Sequence, residues 1–168
     1  MSTYVCYCLL KGSSGSRGMA RRLSELQAHY ESICAPELPQ QAFVYGDEEA
    51  ECLPFKTYPK GWRTGLDACM ARCRTQDMLA LSWRLLEGAM RRQQDADFRL
   101  VLLADSTTDT EEESVSIVAD QLRGLKGKGL EIIFAACTPE AESGGLGALA
   151  DMEISAVEDT AFALGGRI

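Results

Sequence analysis

Three short segments of this 168-residue chain carry side chains able to hold a hard cation. The first is Gly12-Ser13-Ser14-Gly15-Ser16, which follows an apolar run near the start of the chain. The second, Arg74-Thr75-Gln76-Asp77, precedes a long amphipathic stretch, and the third, Ala104-Asp105-Ser106-Thr107, follows another apolar run. Two serines one residue apart, a threonine and an aspartate are hard oxygen donors, the type that suits Mg²⁺. The stretch from Lys11 to Gly18 also invites a second chemistry, because a glycine-rich turn opening a helix can cradle phosphate on its backbone N–H groups. Its spacing is G-x-x-G-x-x-G rather than G-x-G-x-x-G, and Arg17 stands where a Walker A loop needs its second glycine. A nucleotide- or phosphate-binding α/β enzyme using Gly12–Gly18 is therefore the alternative reading. The simplest reading of the same loop needs no ligand: a Gly/Ser turn in which Ser16 caps a helix.

Other chemistries find less support. Seven cysteines and one histidine include no CxxC pair, so a zinc site lacks its paired ligands. Cys6 and Cys8 share one face of a strand, and Cys69 and Cys73 lie one helical turn apart, which fits core thiols in a reducing compartment. His29 has no nucleophile nearby in its helix, so a Ser-His-Asp triad has nothing to build on.

The elements that must position these residues follow from periodicity. Tyr4–Leu10 reads as a buried strand. Met19, Leu23, Leu26, Tyr30 and Ile33 recur at three- and four-residue intervals, predicting a helix that Pro36 and Pro39 end. Ala42–Tyr45 and Ala50–Phe55, around a Gly-Asp turn, predict an antiparallel hairpin whose second strand lies at a sheet edge, where Pro54 is tolerated. Residues 56–65 read as an irregular connection and Leu66–Cys73 as two helical turns. Asp77–Met90 is a strongly amphipathic helix, and Phe98–Ala104 an apolar strand covered on both faces. Asp109–Leu125 opens on the acidic first turn that a helix dipole favours. Leu130–Ala136 is another apolar strand, followed by a short helix at Gly144–Leu149, a strand at Ile154–Ala156 and a helix at Glu158–Leu164. The order β-α-β-β-α-β-α-β-α-β-α, with continuous apolar strands, predicts a mostly parallel sheet between helices on both faces. In such sheets ligands bind at the carboxyl ends of the strands, where the three segments fall.

Composition narrows the function classes. The chain is 46% hydrophobic and 25% charged, a globular balance, and its net charge of -8 disfavours a phosphate backbone as partner. Its basic clusters (Arg17, Arg21, Arg22; Arg72, Arg74; Arg91, Arg92) are short and scattered, and read as solvated helix faces. No apolar run approaches the ~20 residues that span a bilayer. The only positive charge near the N-terminus follows the apolar stretch, the wrong order for a secretory signal, so a cytoplasmic location is expected.

The ordered segments resemble the von Willebrand factor A (vWA) family. That family's metal-ion-dependent adhesion site reads Asp-x-Ser-x-Ser, then Thr, then Asp; Ser14 and Ser16 look like its serines, Thr75 its threonine and Asp105 its later aspartate. Phe43–Phe55 is similar to the family's second and third strands, Phe98–Asp105 to its strand ending in Thr-Asp-Gly, and Leu125–Ala136 to the strand after that. The likeness is nearest in flavour to small bacterial cytoplasmic members linked to tellurite resistance and stress operons. It implies one domain over 1–168 with a three-layer Rossmann-like vWA fold, mostly parallel with one antiparallel edge strand. It also implies a non-catalytic module that binds a protein partner at the rim of strand-end loops, with no nucleic acid or membrane partner. The family's leading aspartate falls at Gly12 if the serines are anchored, or at Lys11 if strand length is; neither is a carboxylate. A lysine there opposes a divalent ion by roughly several kcal/mol at ~6 Å and an effective dielectric near ~20. Asp77 and Asp109 are the carboxylates nearest in sequence that could compensate. The site is therefore expected to be degenerate, binding Mg²⁺ weakly or not at all. Phe55, Tyr58 and Trp62 are either anchors for the partner or a cover over the core.

Overall fold

Alternate residues along the central strands are buried on opposite faces of one sheet, so the fold has two cores rather than one. The computed structural model describes residues 2–10, 17–47, 49–58, 74–105, 113–139, 141 and 144–165. Its elements are β1 (Thr3–Leu10), α1 (Arg17–Cys34), β2 (Gln40–Asp47), β3 (Glu49–Lys56), α2 (Thr75–Arg92), β4 (Asp97–Ala104), α3 (Glu113–Lys126) and β5 (Leu130–Ala136), then a 3₁₀ turn (Gly144–Ala148), β6 (Met152–Ile154) and α4 (Thr160–Gly165). The sheet order is β3-β2-β1-β4-β5-β6. All neighbours are parallel except β2 and β3, the expected hairpin, which pairs Asp47 with Glu49.

On one face Val5, Tyr7 and Leu9 of β1 meet Met19, Leu23, Leu26 and Tyr30 of α1 and Leu164 of α4. On the other, Cys6, Cys8 and Leu10 meet Met78, Leu79 and Leu86 of α2 and Leu122 of α3. Each such fully buried side chain contributes about 1.5–3 kcal/mol of burial free energy. The result is a three-layer α/β fold. Cys6, Cys8 and Cys137 are buried and form no disulfide, as core packing requires, and Cys34 and Cys52 form none either. The Tyr7 ring stacks on Phe43 with centroids 5.3 Å apart. Its buried hydroxyl has no hydrogen-bond partner among the described residues.

Two predicted elements shift. The last strand is Met152–Ile154, not Ile154–Ala156, because Ile154 is the last residue of β6 that packs into the core and the chain turns at Ala156. Lys126 of α3 fixes the approach to that strand: its ammonium donates to Leu149 O at 2.8 Å and lies 3.1 Å from Asp151. Asp151 in turn exchanges two 2.8 Å bonds with the backbone of Ile132. The terminal helix begins at Thr160, where Asp159 accepts the Phe162 N–H at 2.9 Å, rather than at Glu158. β3 lies at the sheet edge, where the Pro54 ring interrupts no central ladder.

One sequence expectation is overturned outright. Arg22 is not on a solvated helix face; it is fully buried. It occupies the same α1 face as Met19, Leu23 and Leu26, and its guanidinium is wrapped in acceptors. The predicted turns at Leu66–Cys73 lie outside the described residues, as do Trp62, Cys69 and Cys73.

Candidate metal centre and interaction rim

In the order β3-β2-β1-β4-β5-β6 the chain runs outward in one direction from β1 and in the other from β4, so the switch point lies between those two strands. Crevices at such switch points, outside the carboxyl ends of the strands, are where open α/β sheets bind ligands. Leu10 and Ala104 pair as the last residues of β1 and β4. Asp105 therefore leaves the sheet at the crevice, and it is fully buried there.

Thr75 reaches the same level by a different route. α2 has 18 residues and β4 has 8, so at ~1.5 Å and ~3.3 Å per residue both span about 26–27 Å. The helix finishes shortly before β4 begins at the opposite edge, which carries Thr75, its first residue, back to the carboxyl edge. Asp77, two residues on, is exposed and lines a groove of about 400 Å³ with Glu49, Ala80, Leu81 and Arg84. It thus faces β3 rather than the crevice. Ser14, Ser16, Lys11, Gly12 and Asp109 lie outside the described residues. Of the four expected ligands, Thr75 and Asp105 are thus described, and both sit at the carboxyl edge. Among the described residues no group of three or more His, Cys, Asp or Glu is arranged to hold a metal. A site built chiefly of hydroxyl oxygens contains no such group.

The floor of the rim is tied together behind Asp105. Cys137 N donates to Ala104 O at 2.8 Å, and Thr138 Oγ1 donates to Asp105 O at 2.8 Å, locking the end of β4 to the loop after β5. The first turn of α1 rests against that loop. A Cβ on Gly18 would lie 2.4 Å from Cys137 O, so only glycine permits the approach. Burial pushes the Cys137 thiol up to about 12, with Arg22 pulling the other way and Asp105 adding to the rise. At neutral pH it is a protonated packing group and no nucleophile.

Arg22 is the residue the sequence reading misplaced. Its guanidinium donates to Ala136 O (3.2 Å), Ser155 O (2.8 Å), Glu158 O (3.0 Å) and Thr160 Oγ1 (2.7 Å). Thr160 passes its own proton to Glu25 at 2.8 Å, and Glu25 stands 3.6 Å from Arg22. One buried cation thereby joins α1, the end of β5, the β6–α4 turn and α4. The signal was present in the sequence: position 22 is three residues after Met19 and four before Leu26, on the apolar stripe.

Phe55 and Tyr58 cover the core. Phe55 meets Tyr4 edge-on at 5.3 Å; Tyr58 meets Phe43 at 5.5 Å and donates to Pro54 O at 2.9 Å.

No protein-family model and no curated protein matches the chain. Solved structures do. Proximal thread matrix protein 1 from the mussel byssus, with a zinc-occupied MIDAS motif (the metal-ion-dependent adhesion site), aligns over 99% of this chain and 44% of its own, at TM-score 0.53 and 12% identity. The fold is of the von Willebrand factor A type. Two further crystal structures of the same mussel protein align at TM-score 0.49 and 12% identity, over 99% and 98% of this chain and 45% and 44% of theirs. The chain thus spans less than half the length of that protein, and at this identity the likeness concerns the vWA fold alone. Among the described residues no helix is long and apolar enough to cross a membrane.

Proposed function

We propose that this chain is a non-catalytic vWA-type interaction module that binds a protein partner at the carboxyl-edge rim, beside a weakened metal site of Ser14, Ser16, Thr75 and Asp105. The observation that carries the reading is Asp105: a fully buried carboxylate at the topological switch point, level with the Thr75 turn. The donor chemistry fits a hard divalent ion, since hydroxyl and carboxylate oxygens are what Mg²⁺ takes. Asp105 supplies the set's single formal negative charge, and Gly12 or Lys11 replaces the carboxylate that would add another. The metal would therefore bind weakly, where it would polarise a partner's acidic side chain. The zinc-occupied MIDAS of the mussel protein lends support to a metal at this edge.

Gly18 of the glycine-rich loop is accounted for by its packing against Cys137, which needs no phosphate. The buried thiols outside any disulfide support an intracellular, reducing location.

Calorimetric titration with Mg²⁺, Mn²⁺, Zn²⁺, NAD(P) and ATP tests the reading. Weak metal binding that Thr75→Ala abolishes and Gly12→Asp or Lys11→Asp strengthens is the expected result. Micromolar nucleotide binding lost on Gly15→Asp would overturn it. Metal affinity indifferent to Thr75→Ala, Gly12→Asp and Lys11→Asp alike would remove the site assignment.

A further inference from the structure

We propose that the turn between β6 and α4 together with the first turn of α4, residues 155–163, is the part of this rim that docks a protein segment bearing apolar side chains flanked by lysine or arginine. The inference rests on the interaction-module reading and names the chemistry of its partner. Val157 and Phe162 are 89% and 85% exposed, the most exposed large apolar side chains among the described residues. Their backbone is nevertheless held from beneath. Arg22 donates to Ser155 O and Glu158 O on one side and to Thr160 Oγ1 on the other. Within the turn, Glu158 N donates to Ser155 O at 3.1 Å while Ser155 N donates to the Glu158 carboxylate at 2.8 Å. Asp159 accepts the Phe162 N–H, so the helix carrying the aromatic ring is capped.

A loose turn exposes apolar groups because nothing holds them. Here a fully buried guanidinium and a reciprocal pair of bonds fix the turn and still direct two large apolar groups to water. Fixing a binding surface in advance lowers the entropic cost of association. A rigid exposed aromatic is the type of side chain that dominates binding energy.

Charge selects the partner. Glu158 and Asp159 are exposed between the two apolar groups. Among the described residues, the neighbouring exposed cation Arg21 is engaged by Glu25 at 3.0 Å, and Arg22 is buried. The chain as a whole carries -8. This potential steers a basic segment inward and repels an anionic bilayer, which points to protein rather than lipid. β6 is two strands from β4, so the turn lies on the order of 10 Å from Asp105 at ~4.8 Å per strand. A partner covering roughly 800 Å² reaches both.

The test is a titration of ¹⁵N-labelled full chain, without added metal, with three synthetic peptides of equal length and apolar content: basic, neutral and acidic. The basic peptide should shift the amides of 155–163 and weaken with salt. Phe162→Ser and Val157→Ser, both at exposed positions that leave the fold intact, should reduce its affinity about tenfold or more. Glu158→Gln, which keeps the bond to Ser155 N and removes the charge, should reduce both affinity and salt dependence. Equal binding of the acidic and basic peptides, or shifts mapping elsewhere, overturns the proposal. A self-associated chain that Phe162→Ser makes monomeric also overturns it, by assigning the patch to a second copy. Thr75→Ala separates the two readings. Loss of metal binding with peptide binding intact leaves the docking surface standing, and failure of any metal to bind counts against the metal site alone.

Discussion

Replacing Arg22 by alanine is expected to be among the most damaging single changes outside the apolar core. The substitution removes four donated hydrogen bonds. Those to Ala136 O and Thr160 Oγ1 are buried, so water cannot replace them; those to Ser155 O and Glu158 O are part-buried, so water restores some of their value. Each buried acceptor left unpaired costs about 1–3 kcal/mol. Two such acceptors, with a smaller loss at the other two and a cavity the size of a guanidinium, give a destabilisation of about 3–5 kcal/mol. That is the range for breaking a buried charge network. Urea unfolding followed by circular dichroism measures it, read as a lower midpoint at unchanged slope. Glu25→Ala provides the contrast. Its carboxylate is 3.6 Å from Arg22 with about a third of the side chain exposed, so the ion-pair part of its loss should be about 1 kcal/mol or less. A loss on Arg22→Ala below 1 kcal/mol, or one equalled by Glu25→Ala, would refute the claim that this cage of three carbonyls and one hydroxyl holds the rim together.

Gly18→Ala should destabilise by about 1–3 kcal/mol despite alanine's better helix propensity, because the new methyl meets Cys137 O; Gly124→Ala in α3, with open space around it, should stabilise by up to about 1 kcal/mol. Equal signs in thermal unfolding of the two variants would sink the close-approach argument. Tyr7→Phe should raise stability by about 1 kcal/mol by removing a buried hydroxyl with no described partner; a loss of that size by chemical denaturation would reveal an ordered water bound to it. Above pH 9, stability should decline. The Cys137 thiol ionises near 9 when unfolded but only at about 12 when folded, so its contribution is complete below pH 9 and is lost as pH rises toward 12. Unfolding midpoints across that window should fall less steeply in Cys137→Ala, and no change in slope would exclude this thiol as a cause.

Much of the fold was legible because its signals are local. The continuous apolar runs of β1, β4 and β5 announced strands covered on both sides. The hairpin declared itself through Gly46 and Asp47, and Pro54 marked the edge. β6 was misplaced by two residues because three residues carry almost no period. At the site, Asp105 and Thr75 could be assigned to the carboxyl edge from the order of elements alone. Arg22 could not be judged from residue type, since an arginine in a basic cluster reads as solvated. What buries it is the convergence of acceptors at Ala136, Ser155, Glu158 and Thr160, more than a hundred positions away, and no local window contains that information. The exposure of Phe162 is equally non-local, because it depends on which face of a six-residue helix the α1 packing selects; Val157 is exposed in the turn before that helix.

The two margins of the sheet constrain how this protein meets others. At one margin β3 carries Pro54, which has no N–H to offer, exposed Glu49, Glu51 and Lys56, and an irregular register opposite Gln41 and Phe43. At the other, β6 is only three residues long. Neither margin offers an added strand a regular ladder, so fibrillar growth and partner capture by strand addition are both disfavoured. Among the described residues, edge-to-edge fusion of sheets is thus disfavoured when the chain is concentrated, and side chains are easier to recognise than backbone along these two margins.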